Sequence, residues 1–140
     1  MELLGHLADG FATSLSPMNL MIVIIGVTAG LFIGAMPGLG SVHGVALVLP
    51  LTFIVPPSSA IILLAAIYYG AMYGGAISSI LLGIPGASTA VATTFDGRPM
   101  AQQGKAGLAL IAAATASFVG GTISVILFTL FAAPLADVAL

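Results

Sequence analysis

Glycine and hydroxyl residues cluster at two points in this chain, Gly38-Leu39-Gly40-Ser41 and Gly86-Ala87-Ser88-Thr89. Each cluster follows a proline, Pro37 or Pro85, inside apolar sequence where a helix would otherwise continue. Proline removes a backbone donor and glycine is a poor helix former, so both segments break helices. A helix that restarts after such a break turns its free N–H groups and positive dipole end toward the break. That end binds anions without a cationic side chain. Gly38, Gly40 and Gly86 let a ligand approach the backbone closely, while Ser41, Ser88 and Thr89 add hydroxyl donors. These six are the candidate substrate-binding residues. The helix that ends before each break exposes carbonyl oxygens that suit a cation such as Na⁺. Pro37 and Pro85, with Thr93 and Asp96 downstream, are the candidate coupling-ion residues. The plainer reading of each break is a tight turn between helices.

The other polar residues carry two readings each. Asp96 is a cation ligand or proton carrier if buried; otherwise it caps a turn or pairs with Arg98 or Lys105. Arg98 suits a substrate carboxylate, and equally a topology-setting loop charge. His43 is an ionisable group in apolar sequence, either functional or a hydrogen-bonded structural histidine. Tyr68, Tyr69 and Tyr73 line a polar path or hydrogen-bond between helices.

The surroundings of the two breaks point to a membrane. Residues 10–95 contain no Asp, Glu, Lys or Arg. Charged residues make up 4% of the chain and mean hydropathy is +1.27. A soluble domain carries about a quarter charged residues, so lipid must be the main solvent here. Broken backbone exposed to lipid is not tolerated, so both breaks must be buried in protein or line a cavity. With no cysteine there is no disulfide framework or thiolate metal site. The start, 1–11, carries Glu2 and Asp9 but no Lys or Arg, which does not fit a signal peptide. A net charge of −2 offers no basic patch for nucleic acid.

The predicted fold is an all-α membrane protein, a single partial transmembrane domain over 1–140. Residues 1–16 form an interfacial segment, with Leu4, Leu7 and Phe11 on one face of a short helix. Three transmembrane helices cover about 17–36, 58–84 and 108–133, the first capped by Ser16 before Pro17. Two short half-helix or re-entrant arms, about 41–55 and 87–95, follow the Pro-Gly breaks. Asp96-Gly97-Arg98-Pro99 reads as a polar turn and 100–105 as surface. Ser58 or Ser59 caps the second long helix, and Gly74-Gly75 is a point where it can kink.

Small residues recur every four positions in all three long helices. Gly26, Gly30 and Gly34 form one stripe; Ala71, Gly75, Ser79 and Gly83 a second; Ala112, Ala116, Gly120 and Ser124 a third. Such stripes let helices pack closely. The first two each lead into a break, and Pro37 and Pro85 stand 48 residues apart. Corresponding interrupted segments are the usual sequence mark of a transporter site. The two cationic side chains, Arg98 and Lys105, fall in 96–107, which places that loop in the cytoplasm. No nucleophile elbow, zinc-protease helix or phosphate loop is present, so an enzyme is not expected.

At these residues the chain resembles the TctA family, the large membrane subunit of the tripartite tricarboxylate transporters. The resemblance rests on Gly34-Ala35-Met36-Pro37-Gly38-Leu39-Gly40, Leu49-Pro50-Leu51-Thr52 and Ile67-Tyr68-Tyr69-Gly70-Ala71-Met72-Tyr73-Gly74-Gly75. It continues through Ile84-Pro85-Gly86, Asp96-Gly97-Arg98-Pro99-Met100-Ala101 and Gln103-Gly104-Lys105-Ala106-Gly107. It implies a secondary importer of citrate-like tricarboxylates or other carboxylates in the bacterial inner membrane. Such an importer works with a small membrane subunit and a periplasmic solute-binding protein, has no cofactor, and couples to Na⁺ or H⁺. Many members have asparagine where this chain has Gly83, and an aromatic residue where it has Arg98. Members are several times longer, so the resemblance implies an N-terminal portion, a fragment, truncated or split protein, that does not transport alone. The alternative reading is a small oligomeric channel-like or scaffold membrane protein.

Overall fold

The structure is a computed structural model that describes the backbone of residues 2–139 and the side chains of 5–132. All its regular structure among the described residues is helical. The order is α1 (Glu2–Ser14), α2 (Pro17–Ala35), α3 (Gly40–Val48) with a 3-10 extension (Leu49–Ile54), and α4 (Pro57–Leu82). A 3-10 turn (Ser88–Ala90) then leads directly into α5 (Val91–Gln102), and α6 (Ala106–Ala139) ends the chain. Three helices are long and apolar enough to cross a membrane: Pro17–Ala35, Pro57–Leu82 and Ala106–Ala132. They match the predicted spans to within a few residues.

Local sequence explains the starts and stops. Ser16 accepts a hydrogen bond from the Asn19 amide at 3.4 Å, with Pro17 at the first helical position. Pro57 opens α4 in the same way, but neither Ser58 nor Ser59 caps it. Ser59 instead donates to the Asn19 side chain at 2.7 Å, a buried bond that pins the start of α4 to the start of α2. At its far end α4 stops at Gly83, whose φ of 73° is the left-handed conformation of a helix terminus. Asparagine is the other residue that takes this conformation readily. The segment predicted to be interfacial is helical, with Leu7 and Phe11 exposed; the side chains of Glu2 and Leu4 lie outside the described residues.

The core is the seam between α2 and α4. A Cβ added at Gly26 would meet the Ala66 side chain at 2.8 Å. One at Gly30 or Gly34 would overlap the backbone of Ile67 or Ala71, and one at Gly70 or Gly74 that of Val27 or Leu31. Backbone therefore packs on backbone, the close approach that small residues permit in lipid. Numbering rises together along both helices, from Asn19 opposite Ser59 to Gly34 opposite Ala71. The two helices thus run parallel, and the chain between them must return across the same thickness. Nine α-helical and six 3-10 residues supply about 26 Å for that return. The first arm is thus the returning limb between two parallel spans.

The second arm is re-entrant. α4 outruns α2, and residues 84–87 fold back along it until Gly86 meets Gly34 and Gly75. Helix then resumes in the direction of α4, because Ala90 lies near Gly75 and Gly97 near Ile80. Helix α4 is continuous through Gly74-Gly75, where Gly74 receives α2 and Gly75 receives Ala87. The predicted polar turn at 96–99 is instead inside α5. Gly97 packs on Ile80, and the Arg98 guanidinium donates to the Leu81 carbonyl oxygen. These contacts to α4 keep the segment helical through Pro99, and the turn falls at 103–105 with Gly104 at φ 77°. Helix α6 returns beside α4, tied to it by Tyr73, which donates to the Leu110 carbonyl at 3.0 Å. Ala109 is its one buried side chain among the described residues.

Candidate functional site

Two helix restarts, from sequence positions 48 apart, meet at one place. α2 ends at Ala35, and a turn held by Leu39 N–H to Met36 carbonyl (3.3 Å) reverses the chain into α3. Gly38 and Gly40 take φ values of 89° and 62°, which makes that reversal possible. A Cβ at Gly40 would lie 3.5 Å from the Gly86 carbonyl oxygen and 3.8 Å from the Ala87 side chain. The start of α3 therefore abuts the segment that opens the second restart. Gly86 itself is wedged between α2 and α4: its added Cβ would overlap the Gly34 carbonyl and come within 2.9 Å of Gly75 Cα.

The two starts differ from α2 in one chemical respect. Helix α2 has its Ser16 side-chain cap, whereas the starts at Gly40 and Ser88, like that of α4, have none. An uncapped start leaves its first N–H groups for another partner, and in lipid an unmet backbone donor costs several kcal/mol. Two helix starts without side-chain caps thus share one locality, a geometry suited to a carboxylate.

The sequence-predicted residues divide accordingly. Gly40, Ser41 and Gly86 come together at the junction, with Ser41 and Gly86 buried. Gly38 and Pro37 lie on the exposed side of the first turn, and a Cβ at Gly38 would meet nothing within 4 Å. Ser88 and Thr89 open the second restart and are exposed. Of the coupling-ion candidates, Pro85 is part of the fold-back, while Thr93 and Asp96 lie farther along α5, facing α6. The structure therefore does not gather those four at one point. Asp96 is exposed and sits within α5, so it caps no turn. The last carbonyls of α4 are also not all open, since Leu81 already accepts from Arg98. That bond gives Arg98 a role the sequence did not suggest, a cation closing a helix C-terminus. His43 is exposed on α3, and its Nδ1 bonds the Leu39 carbonyl oxygen, the structural alternative of its two readings.

Beside the second restart lies a cleft of about 340 Å³ between α4, α5 and α6. Tyr68, Tyr69, Tyr73, Thr89, Thr93 and Ser117 line it. A neighbouring cleft of about 430 Å³ shares Thr93 and Ser117 and reaches Asp96. Ser117 had no signal of its own in the sequence: it is one hydroxyl among several in an apolar helix. Among the described residues no group of three or more His, Cys, Asp or Glu could hold a metal ion.

Comparison with known proteins places the chain in a family. Residues 20–140 match the model of the tripartite tricarboxylate transporter TctA family. The chain is 43% identical, over all 140 residues, to an uncharacterized 52.8 kDa protein of the TAR-I ttuC' 3' region of Agrobacterium vitis. It spans 28% of the length of that relative. No solved structure matches.

Proposed function

The chain belongs to the tripartite tricarboxylate transporter TctA family, and from that premise we propose that it is the N-terminal part of a secondary carrier of citrate-like carboxylates. The carrier works in the bacterial inner membrane with a small membrane subunit and a periplasmic binding protein, driven by Na⁺ or H⁺. The observation that carries this reading is the meeting of the uncapped start of α3 at Gly40 with Gly86-Ala87, the segment that leads into the uncapped start at Ser88. Broken helices whose N-terminal ends face an anionic group are the recurrent site architecture of secondary transporters. Neutral donors also leave the substrate free to depart, which transport requires. Carbonyl oxygens at the end of α2, including that of Gly34, lie beside the same junction and suit the coupling cation.

The test is uptake by a full-length family transporter that carries this segment. Changing Ser88 and Thr89 to alanine removes two hydroxyl donors, each worth about 0.5–1.5 kcal/mol. The substrate concentration for half-maximal uptake is expected to rise roughly tenfold with membrane insertion intact. Unchanged uptake kinetics would rule out a substrate role for this helix end. Orientation is part of the same proposal: the 103–105 turn faces the cytoplasm, and α1 lies on the opposite side because α2 and α4 run parallel. The chain has no cysteine, so single cysteines at Gly104 and Gly5 can be labelled cleanly. A membrane-impermeant thiol reagent outside intact cells should reach Gly5→Cys and not Gly104→Cys.

A further inference from the structure

One exposed face of this molecule does not suit lipid. Helix α3 presents Val42, His43, Ala46 and Leu47 outward, while Ser41 and Gly44 are buried. A Cβ at Gly44 would lie 3.3 Å from Ile67 Cγ2 and 3.4 Å from Ile33 Cγ2, so this turn of α3 stands beside Ile67 in α4. Ile67 is about 15 Å from the start of α4 and about 22 Å from its end, which puts His43 inside the hydrocarbon. The Leu39 carbonyl oxygen can only accept, so His43 Nδ1 carries the hydrogen of the bond between them. The neutral ring then keeps a lone pair on Nε2, which has no hydrogen-bond partner among the described residues. Residues 10–95 hold no Asp, Glu, Lys or Arg to pair with the ring. An ionisable group left open in hydrocarbon is costly and calls for a partner. Helix α6 is also exposed and poses no such problem. Its described residues include no ionisable side chain, and Thr115, Thr122 and Thr129 each donate to a carbonyl of their own helix. Lipid can cover α6, whereas on α3 it leaves Nε2 unmet.

We propose that this face of α3 is covered by a transmembrane helix from outside this chain, which donates a hydrogen bond to His43 Nε2. The chain spans 28% of its 52.8 kDa relative, so most of such a protein lies outside it and supplies the covering helix. The face fits a helix. Val42 and Ala46, like His43 and Leu47, are four residues apart and form one strip along α3, where the small Ala46 allows close approach. A hydroxyl or side-chain amide on the facing helix supplies the donor, the usual polar link between helices in lipid. Such a helix stands one turn from the start of α3 at Gly40 and walls the junction off from lipid. The proposal rests on the chain's place in a longer protein, not on what that protein carries.

A spin label at Leu47→Cys reads this face and keeps His43, in a chain with no cysteine of its own. It is placed in a cysteine-free form of a full-length family protein that carries this segment, and in the 140-residue chain, both in lipid nanodiscs. Oxygen concentrates in hydrocarbon, and a nickel chelate stays in water. In the longer protein the label should be immobile and shielded from both; in the 140-residue chain oxygen should reach it. Access by oxygen in the longer protein would mean that lipid covers the face, and access by the nickel chelate that water does. Broadening between labels that vanishes on dilution with unlabelled protein would mean a second copy. Each of these three results overturns the proposal. His43→Leu tests the donor. The longer protein should melt about 2 °C lower or more, because the facing donor loses its acceptor, and the 140-residue chain should lose nothing. His43→Gln, which restores an acceptor, should recover part of the loss. An unchanged melting temperature in the longer protein overturns the proposal. An equal loss in both settings does so too, since it would trace the effect to the bond with Leu39. Neither readout uses uptake, so the carrier reading is tested separately.

Discussion

The two Pro-Gly breaks look alike in sequence and do different work. At the first, glycine supplies conformation: Gly38 and Gly40 take left-handed φ values, and Gly38 has open space around it. At the second, glycine supplies room: Gly86 sits where any side chain would collide with Gly34 and Gly75. The left-handed residue of the second break is Gly83, three positions earlier, because there the chain leaves a helix and doubles back along it. The first break is a reversal between helices; the second is a re-entry. A shared motif therefore does not define a shared geometry, yet both serve to bring a helix start to the same depth.

Alanine at the two equivalent glycines should separate these roles most sharply. Gly86→Ala forces α2, α4 and the fold-back apart and should cost about 1–3 kcal/mol or more, as overpacking does. Gly38→Ala meets only the strain of a left-handed residue, about 1–2 kcal/mol. Thermal unfolding in detergent, followed by circular dichroism, should thus show the larger loss at Gly86. Equal losses would mean that Gly86 is not the wedge described.

What the sequence revealed depended on how local the cause was. The spans, the Ser16 cap and both breaks were legible because hydropathy, proline and glycine act within a few residues. The helical path of 96–99 was not, because Gly97 and Arg98 answer to Ile80 and Leu81, which are distant in sequence. For the same reason Ser117 gave no sign, since only the packing of α6 on α4 and α5 brings it beside Thr93. The stripe on α4 is shared between two partners. Gly70, Ala71 and Gly74 face α2, while Gly75 faces the fold-back. Periodicity finds a small-residue face but not its partner.

The difference between the breaks also predicts a role for Arg98. Only the second break ends its helix with a cation on the terminal carbonyls. Arg98→Gln should lower stability by about 1 kcal/mol, the value of a hydrogen bond of this kind after allowance for its partial exposure. Gly83→Asn should change it by less, because asparagine accepts the left-handed conformation and the nearest atoms, Arg98 Cδ and Nε at 3.3 Å, belong to a flexible side chain. A Gly83→Asn loss exceeding that of Arg98→Gln would show that room rather than conformation governs this glycine, as at Gly86.

The third small-residue stripe carries the contrast to its weakest case. Gly34 and Gly120 occupy comparable places in long apolar helices, yet Gly34 is pressed on Ala71 and a Cβ at Gly120 would meet nothing within 4 Å. Its φ is not left-handed either. With neither conformation nor room at stake, only intrinsic helix propensity remains. Gly120→Ala should therefore stabilise this chain by roughly 0.5–1 kcal/mol. In a full-length family protein, another helix covering that face would reverse the sign, because the added methyl would hold the two backbones apart. Measuring the same substitution in both settings reads directly whether the stripe is a packing face, and a stabilisation retained in the longer protein would show that it is not.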